Sequence, residues 1–222
     1  MPKKDDYIEE LEDVIRRMLT PFKNIRFGVV IKALTGHEVV EFDRKSAKHA
    51  QLLKKLCKAA EIASVAVTAA GGIHRPRPNE VGNDLEAYVE NALKAVGYSD
   101  VCKPTGKSGK GKTVGYPDRE FTADGTTVYL EVKSYAEASL DSTMRSFYFS
   151  PSQDFKVNKS GLHLVIAFEV LRKADVFFVG GWKILTVDQL MVDVKYEFNS
   201  DNRRLYANNA ILASKKFDYS KR

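Results

Sequence analysis

Cysteine is nearly absent. The 222 residues hold two, Cys57 and Cys102, which make neither a disulfide framework nor a zinc-binding spacing. Histidine occurs four times, and His37, His49, His74 and His163 are scattered, so each reads as an ordinary surface or core residue. No long hydrophobic run exists. The most apolar stretch, residues 59–73, carries Glu61 and falls short of the roughly 20 apolar residues that a membrane span needs. The opening MPKKDDYIEELED lacks an apolar core, so no signal peptide is expected. There is no internal repeat and no long low-complexity tract. These absences exclude a secreted disulfide scaffold and a membrane protein, and place the chain, as an expectation, in the reducing cytoplasm.

What is present points to a globular nucleic-acid partner without demanding one. The chain is 44% apolar and 29% charged, too hydrophobic for disorder and long enough for one large domain or two small ones. Against 35 basic residues stand 29 acidic ones, a net charge of +6, which gives a mild preference for polyanionic partners. Basic residues concentrate in 44–58, in 103–112 and in the tail.

The pattern of apolar residues predicts a first helix capped by Asp5 or Asp6 and ending near Thr20-Pro21. IRFGVVIKAL and HEVVEF read as two strands joined at Thr35-Gly36. A long helix is expected over 43–69. Its lysines read as a solvated face, with a phosphate-facing surface as the alternative. GGIHRPRPNEVGN suggests a boundary between an N-terminal region, 1–78, for dimerisation or DNA grip, and a core with C-terminal extension, 79–222. A helix capped by Asn83 or Asp84 and stopped by Gly97 should follow. Further strands are expected at 147–150, 162–170 and 175–180. Alternating helices and strands give an α/β or α+β class with a mixed sheet.

One motif is a poor guide. Residues 106–113, GKSGKGKT, satisfy the phosphate-loop pattern, yet Val114-Gly115-Tyr116-Pro117 cannot open the helix whose N-terminus would hold phosphates. No nucleotide is expected. Lys107, Lys110 and Lys112 read as a flexible loop that could lie along a nucleic-acid backbone. Arg145 and Ser146, among hydroxyls and aromatics, are weaker candidates for DNA contact.

The chemistry sits in residues 116–133. Asp124-Gly125 between two β-prone runs signals a two-residue hairpin turn. That turn pairs Ala123 with Thr126, Phe121 with Val128, Arg119 with Leu130 and Asp118 with Glu131. Phe121, Ala123, Val128, Leu130 and Val132 then share one face. Tyr116, Asp118, Glu120, Tyr129, Glu131 and Lys133 share the other. Like charges facing each other across strands are destabilising, so Asp118 and Glu131 call for compensation. A divalent cation would supply it, since hard oxygen ligands suit Mg²⁺. The ordinary alternative is a solvated strand face on which Lys133 neutralises the acids.

Pro117-Asp118 followed by Glu131-Val132-Lys133 resembles the motif of the PD-(D/E)xK nuclease superfamily, which includes most type II restriction endonucleases. The resemblance spans about residues 80–180. It implies a restriction-endonuclease-like core, a central mixed sheet flanked by helices. It also implies Mg²⁺-dependent hydrolysis of double-stranded DNA, with one or two ions held by Asp118, Glu131 and Val132, and Lys133 beside the attacking water. Glu86 matches a further acid that such enzymes carry on the preceding helix, though a solvated helix glutamate would look the same. A homodimer is implied as well.

Overall fold

The computed structural model describes residues 4–19, 22–106, 109, 115–139, 147, 149 and 154–194. The chain divides into two units, one made of 24–192 and the other of 1–23 with 193–222. In the second unit the described structure is helix α1 (Lys4–Leu19), as its apolar spacing predicts.

Within 24–192 the order is β1 (Ile25–Arg26), α2 (Phe27–Thr35), β2 (Val39–Val40), α3 (Ala47–Ala69), α4 (Val81–Ala95), β3 (Arg119–Ala123), β4 (Thr126–Tyr135), β5 (Gly161–Lys173), β6 (Val176–Thr186) and β7 (Met191–Val192). The five-stranded sheet runs β2-β5-β4-β3, with β6 also paired to β5. Its β4–β5 and β2–β5 pairs are parallel, and its hairpins β3–β4 and β5–β6 are antiparallel. This is the mixed sheet flanked by helices that the sequence predicts.

The hairpin expected over 25–42 is replaced by a short strand, a helix and a short strand. FGVVI favours strands by composition, but Phe27, Ile31 and Thr35 lie four residues apart and are the buried ones. Gly36, at φ 80°, ends the helix by donating its N–H to the Lys32 carbonyl. Burial of a helical stripe has overridden strand propensity. The long helix starts later than expected, at Ala47, where the Ser46 hydroxyl accepts the His49 N–H. α4 also starts earlier, at Val81, after a 3₁₀ turn (Pro78–Glu80), with neither Asn83 nor Asp84 as its cap. The strand expected at 147–150 falls largely outside the described residues. Phe147 and Phe149 are not in a strand, and both pack edge-on against Phe27.

Each face of the sheet has its own cover. Leu52, Leu56 and Ala63 of α3 and Leu85, Val89 and Leu93 of α4 pack on Phe121, Val128, Leu130, Leu164 and Ile166. Each fully buried leucine there contributes about 2 kcal/mol. Phe27 and Ile31 of α2 cluster on the opposite face with Tyr116, Tyr129, Val165 and Ala167. α2 and α3, from the part of the chain before residue 79, therefore share one unit with α4 and the sheet. His163, on β5, is a core residue: burial pulls its imidazole down to about 3, and its Nδ1 lies 2.6 Å from the Tyr116 hydroxyl. Among the described residues no helix is long and apolar enough to cross a membrane.

Candidate active site

The Asp-Gly turn forms as its residues require. Asp124 and Gly125 have φ of 48° and 80°, the mirror-image turn whose twist matches a hairpin. Phe121 pairs with Val128 and Arg119 with Leu130, the register set by that turn. Asp118 donates its N–H to the Leu130 carbonyl at 3.2 Å, a departure from the ladder, in which Glu120 points its N–H away from β4 to the Cys102 carbonyl and Asp118 would do the same.

β3 starts at Arg119, whereas β4 continues to Tyr135, so beyond Leu130 the edge of β4 loses its ladder partner on that side. Its next amide on this edge, Val132 N–H, is taken by the Asp118 carboxylate, Oδ2, at 2.8 Å. The Val132 carbonyl lies on the same edge, because a strand residue points both its backbone groups to one side. The site is thus built where one strand of a hairpin outruns the other.

Glu131 is 6% exposed, although it stands on the more polar face of the hairpin. Lys133 Nζ lies 2.7 Å from its Oε1. Its Oε2 is buried, with no hydrogen-bond partner among the described residues. Burial, and then the Asp118 charge, push the Glu131 carboxyl up to about 7. Burial raises Asp118 too; the Val132 N–H works against this, while Glu86 adds to it. The two acids stand in one poorly solvated place where ionising both is unfavourable.

Such a site fits a hard divalent cation. It offers two carboxylates, a carbonyl on the same edge and one oxygen with nothing to bind. Among the described residues no three acidic, histidine or cysteine side chains gather closely enough to cage an ion by themselves. Mg²⁺ does not need that, since it keeps several waters and binds through one or two carboxylates with the substrate's phosphate.

A protein-family profile described as the type II restriction enzyme MjaV family matches residues 21–209. The chain belongs to that family. It is 33% identical over 224 residues to the type II restriction enzyme MjaV of Methanocaldococcus jannaschii, covering 94% of this chain and 96% of that protein. No solved structure matches the chain. The match runs through the terminal parts of 24–192 as well as the hairpin, so the MjaV-family likeness covers α2 and α3 along with the site.

Of the residues expected at the site, Asp118, Glu131, Val132 and Lys133 come together. Glu86 lies nearby but is engaged: its Oε2 accepts from Arg119 Nη1 at 2.9 Å and lies 3.5 Å from Lys103 Nζ. Lys107, Lys110, Lys112, Arg145 and Ser146 lie outside the described residues.

Two cations escaped sequence reasoning. Arg119, 3% exposed, forks to Glu90 Oε2 and Glu86 Oε2, both at 2.9 Å, and to the Asp118 carbonyl at 2.8 Å. Its register signals this, because the pairing that turns Phe121 and Ala123 inward turns Arg119 inward too. Lys156, 5% exposed, donates to the carbonyls of Gly115 and Pro117. Its only signal is its apolar neighbours Phe155 and Val157.

Proposed function

We propose that the chain is a Mg²⁺-dependent endonuclease that hydrolyses double-stranded DNA at a specific sequence, acting as a homodimer. The observation that carries this reading is buried Glu131 beside half-buried Asp118, with one Glu131 oxygen unpartnered among the described residues and Lys133 alongside. Membership of a type II restriction enzyme family supports the same substrate. A homodimer follows from the task, because cutting both strands of a symmetric site needs two active centres.

Asp118, Glu131 and the Val132 carbonyl would hold the ion. Bound Mg²⁺ polarises the phosphate and lowers the pKa of a coordinated water. Val132 N–H holds the Asp118 carboxylate in place. Lys133, tethered by Glu131, orients the attacking water and stabilises negative charge that grows on the phosphate oxygens. Glu86 is held by Arg119 and tunes Asp118 through its charge. Lys107, Lys110, Lys112, Arg145 and Ser146 remain the proposed contacts to the DNA backbone and bases.

Incubating the protein with a long viral DNA should give discrete bands in Mg²⁺ and none in excess chelator. A smear would mean that cleavage ignores sequence. Cutting confined to four-way junctions would replace restriction with junction resolution. Binding without cutting would leave a nucleic-acid-binding protein.

A further inference from the structure

Lys156 has no part in the cleavage described above, yet it is buried beside it. Removing an ammonium from water costs several kcal/mol unless its hydrogen bonds are replaced. Here the replacements are backbone: Nζ donates to the Gly115 carbonyl at 2.5 Å and to the Pro117 carbonyl at 3.0 Å. Among the described residues no carboxylate forms an ion pair with it, although Asp118, Glu131 and Glu86 lie close enough to act on it electrostatically. Residues 115–117 belong to no strand and make no backbone–backbone hydrogen bond among the described residues. The next residue is Asp118, which precedes β3 and whose N–H reaches the Leu130 carbonyl outside the strand ladder at 3.2 Å. Lys156 therefore grips the backbone just upstream of Asp118, a stretch that among the described residues is otherwise anchored by the Tyr116 side chain on His163.

We propose that Lys156 is a positioning residue. By holding the carbonyls of Gly115 and Pro117 it fixes the backbone that presents Asp118, and so sets the metal affinity of the Asp118–Glu131 pair. The proposal rests on the reading that this pair holds a divalent ion. It assigns Lys156 no contact with DNA.

Mn²⁺ binding to the full-length protein without DNA, followed by calorimetry, tests it. Lys156→Met should weaken Mn²⁺ binding by about 10–100-fold, the usual effect of removing a group that orients a ligand. Lys156→Arg, which keeps charge and donors, should recover most of the loss, and DNA affinity in excess chelator, with no divalent ion bound, should not change. Lys156→Gln carries the same expectation if Lys156→Met does not fold. Glu131→Ala serves as the control and should lose Mn²⁺ binding. Unchanged or tighter Mn²⁺ binding in Lys156→Met, with binding lost in Glu131→Ala, would overturn the positioning role alone. Wild-type binding in Glu131→Ala would overturn the metal site and this proposal with it.

Discussion

Replacing Glu131 with Gln is expected to stabilise the folded chain at pH 8 while cleavage is lost. The carboxyl is pushed up to about 7 in the folded state, from 4.5 when exposed. Between these values the native state binds more proton than the unfolded one, so stability falls as pH rises through the window. Above about pH 7 the full cost is present, on the order of 3 kcal/mol for a shift of this size. Glu131→Gln removes the ionisation and keeps the shape. Its advantage should be below about 1 kcal/mol near pH 5 and grow to about 3 kcal/mol by pH 8, because the charge it deletes is unfavourable only once formed. Urea unfolding at the two pH values measures it. An advantage that is equal at both, or larger at pH 5, would mean that Glu131 is not held against ionisation. The metal-binding reading explains why the cost persists: a carboxylate that destabilises the fold is retained for what it binds.

Arg119→Met is expected to be the most destabilising substitution near the site. The guanidinium is 3% exposed and joins α4 to β3 through Glu86 and Glu90, while also holding the Asp118 carbonyl. Removing one partner from a buried ion network costs about 3–5 kcal/mol, because the remaining charges stay desolvated. Glu90 keeps Lys94 at 2.7 Å, whereas Glu86 keeps only the more distant Lys103 at 3.5 Å, so most of the cost falls on Glu86. Arg119→Lys should recover only part of the loss, since an ammonium cannot fork to two carboxylates and a carbonyl. Chemical denaturation of both variants gives the comparison. A loss below about 1 kcal/mol in Arg119→Met, the scale of an exposed pair, would show that the network is not truly buried.

The turn and its register were legible because a two-residue Asp-Gly loop leaves the pairing no freedom and side chains alternate strictly along a strand. That argument brought Asp118 to Glu131 and turned Phe121 and Val128 inward. It could not say what covers the other face. Reading FGVVI as a strand left Tyr129 and Glu131 with only solvent above them. In the structure the same residues form α2, and Phe27 and Ile31 join Tyr129 in a second core. Glu131, on the same side of the hairpin as Tyr129, is buried rather than solvated. Arg119 was legible as an inward residue, but its partners come from helix packing, which no local pattern encodes. Lys156 belongs to a non-repetitive segment where neither spacing nor turn chemistry marks it out. The positive charge that first suggested a polyanionic partner lies mostly in 44–58, in the lysine-rich loop and in the tail. The site itself balances carboxylates against Arg119, Lys133 and Lys156.

If Asp118 and Glu131 act together on one bound ion, single-turnover cleavage shows it. Asp118→Ala and Glu131→Ala should each slow Mg²⁺-dependent DNA cleavage by about 10²–10³-fold or more, the scale of removing a preorganised electrostatic contact. The double variant should be scarcely worse than either, because groups that act as a unit are strongly non-additive. Cleavage left intact by either single substitution, or losses that simply multiply in the double variant, would contradict the account.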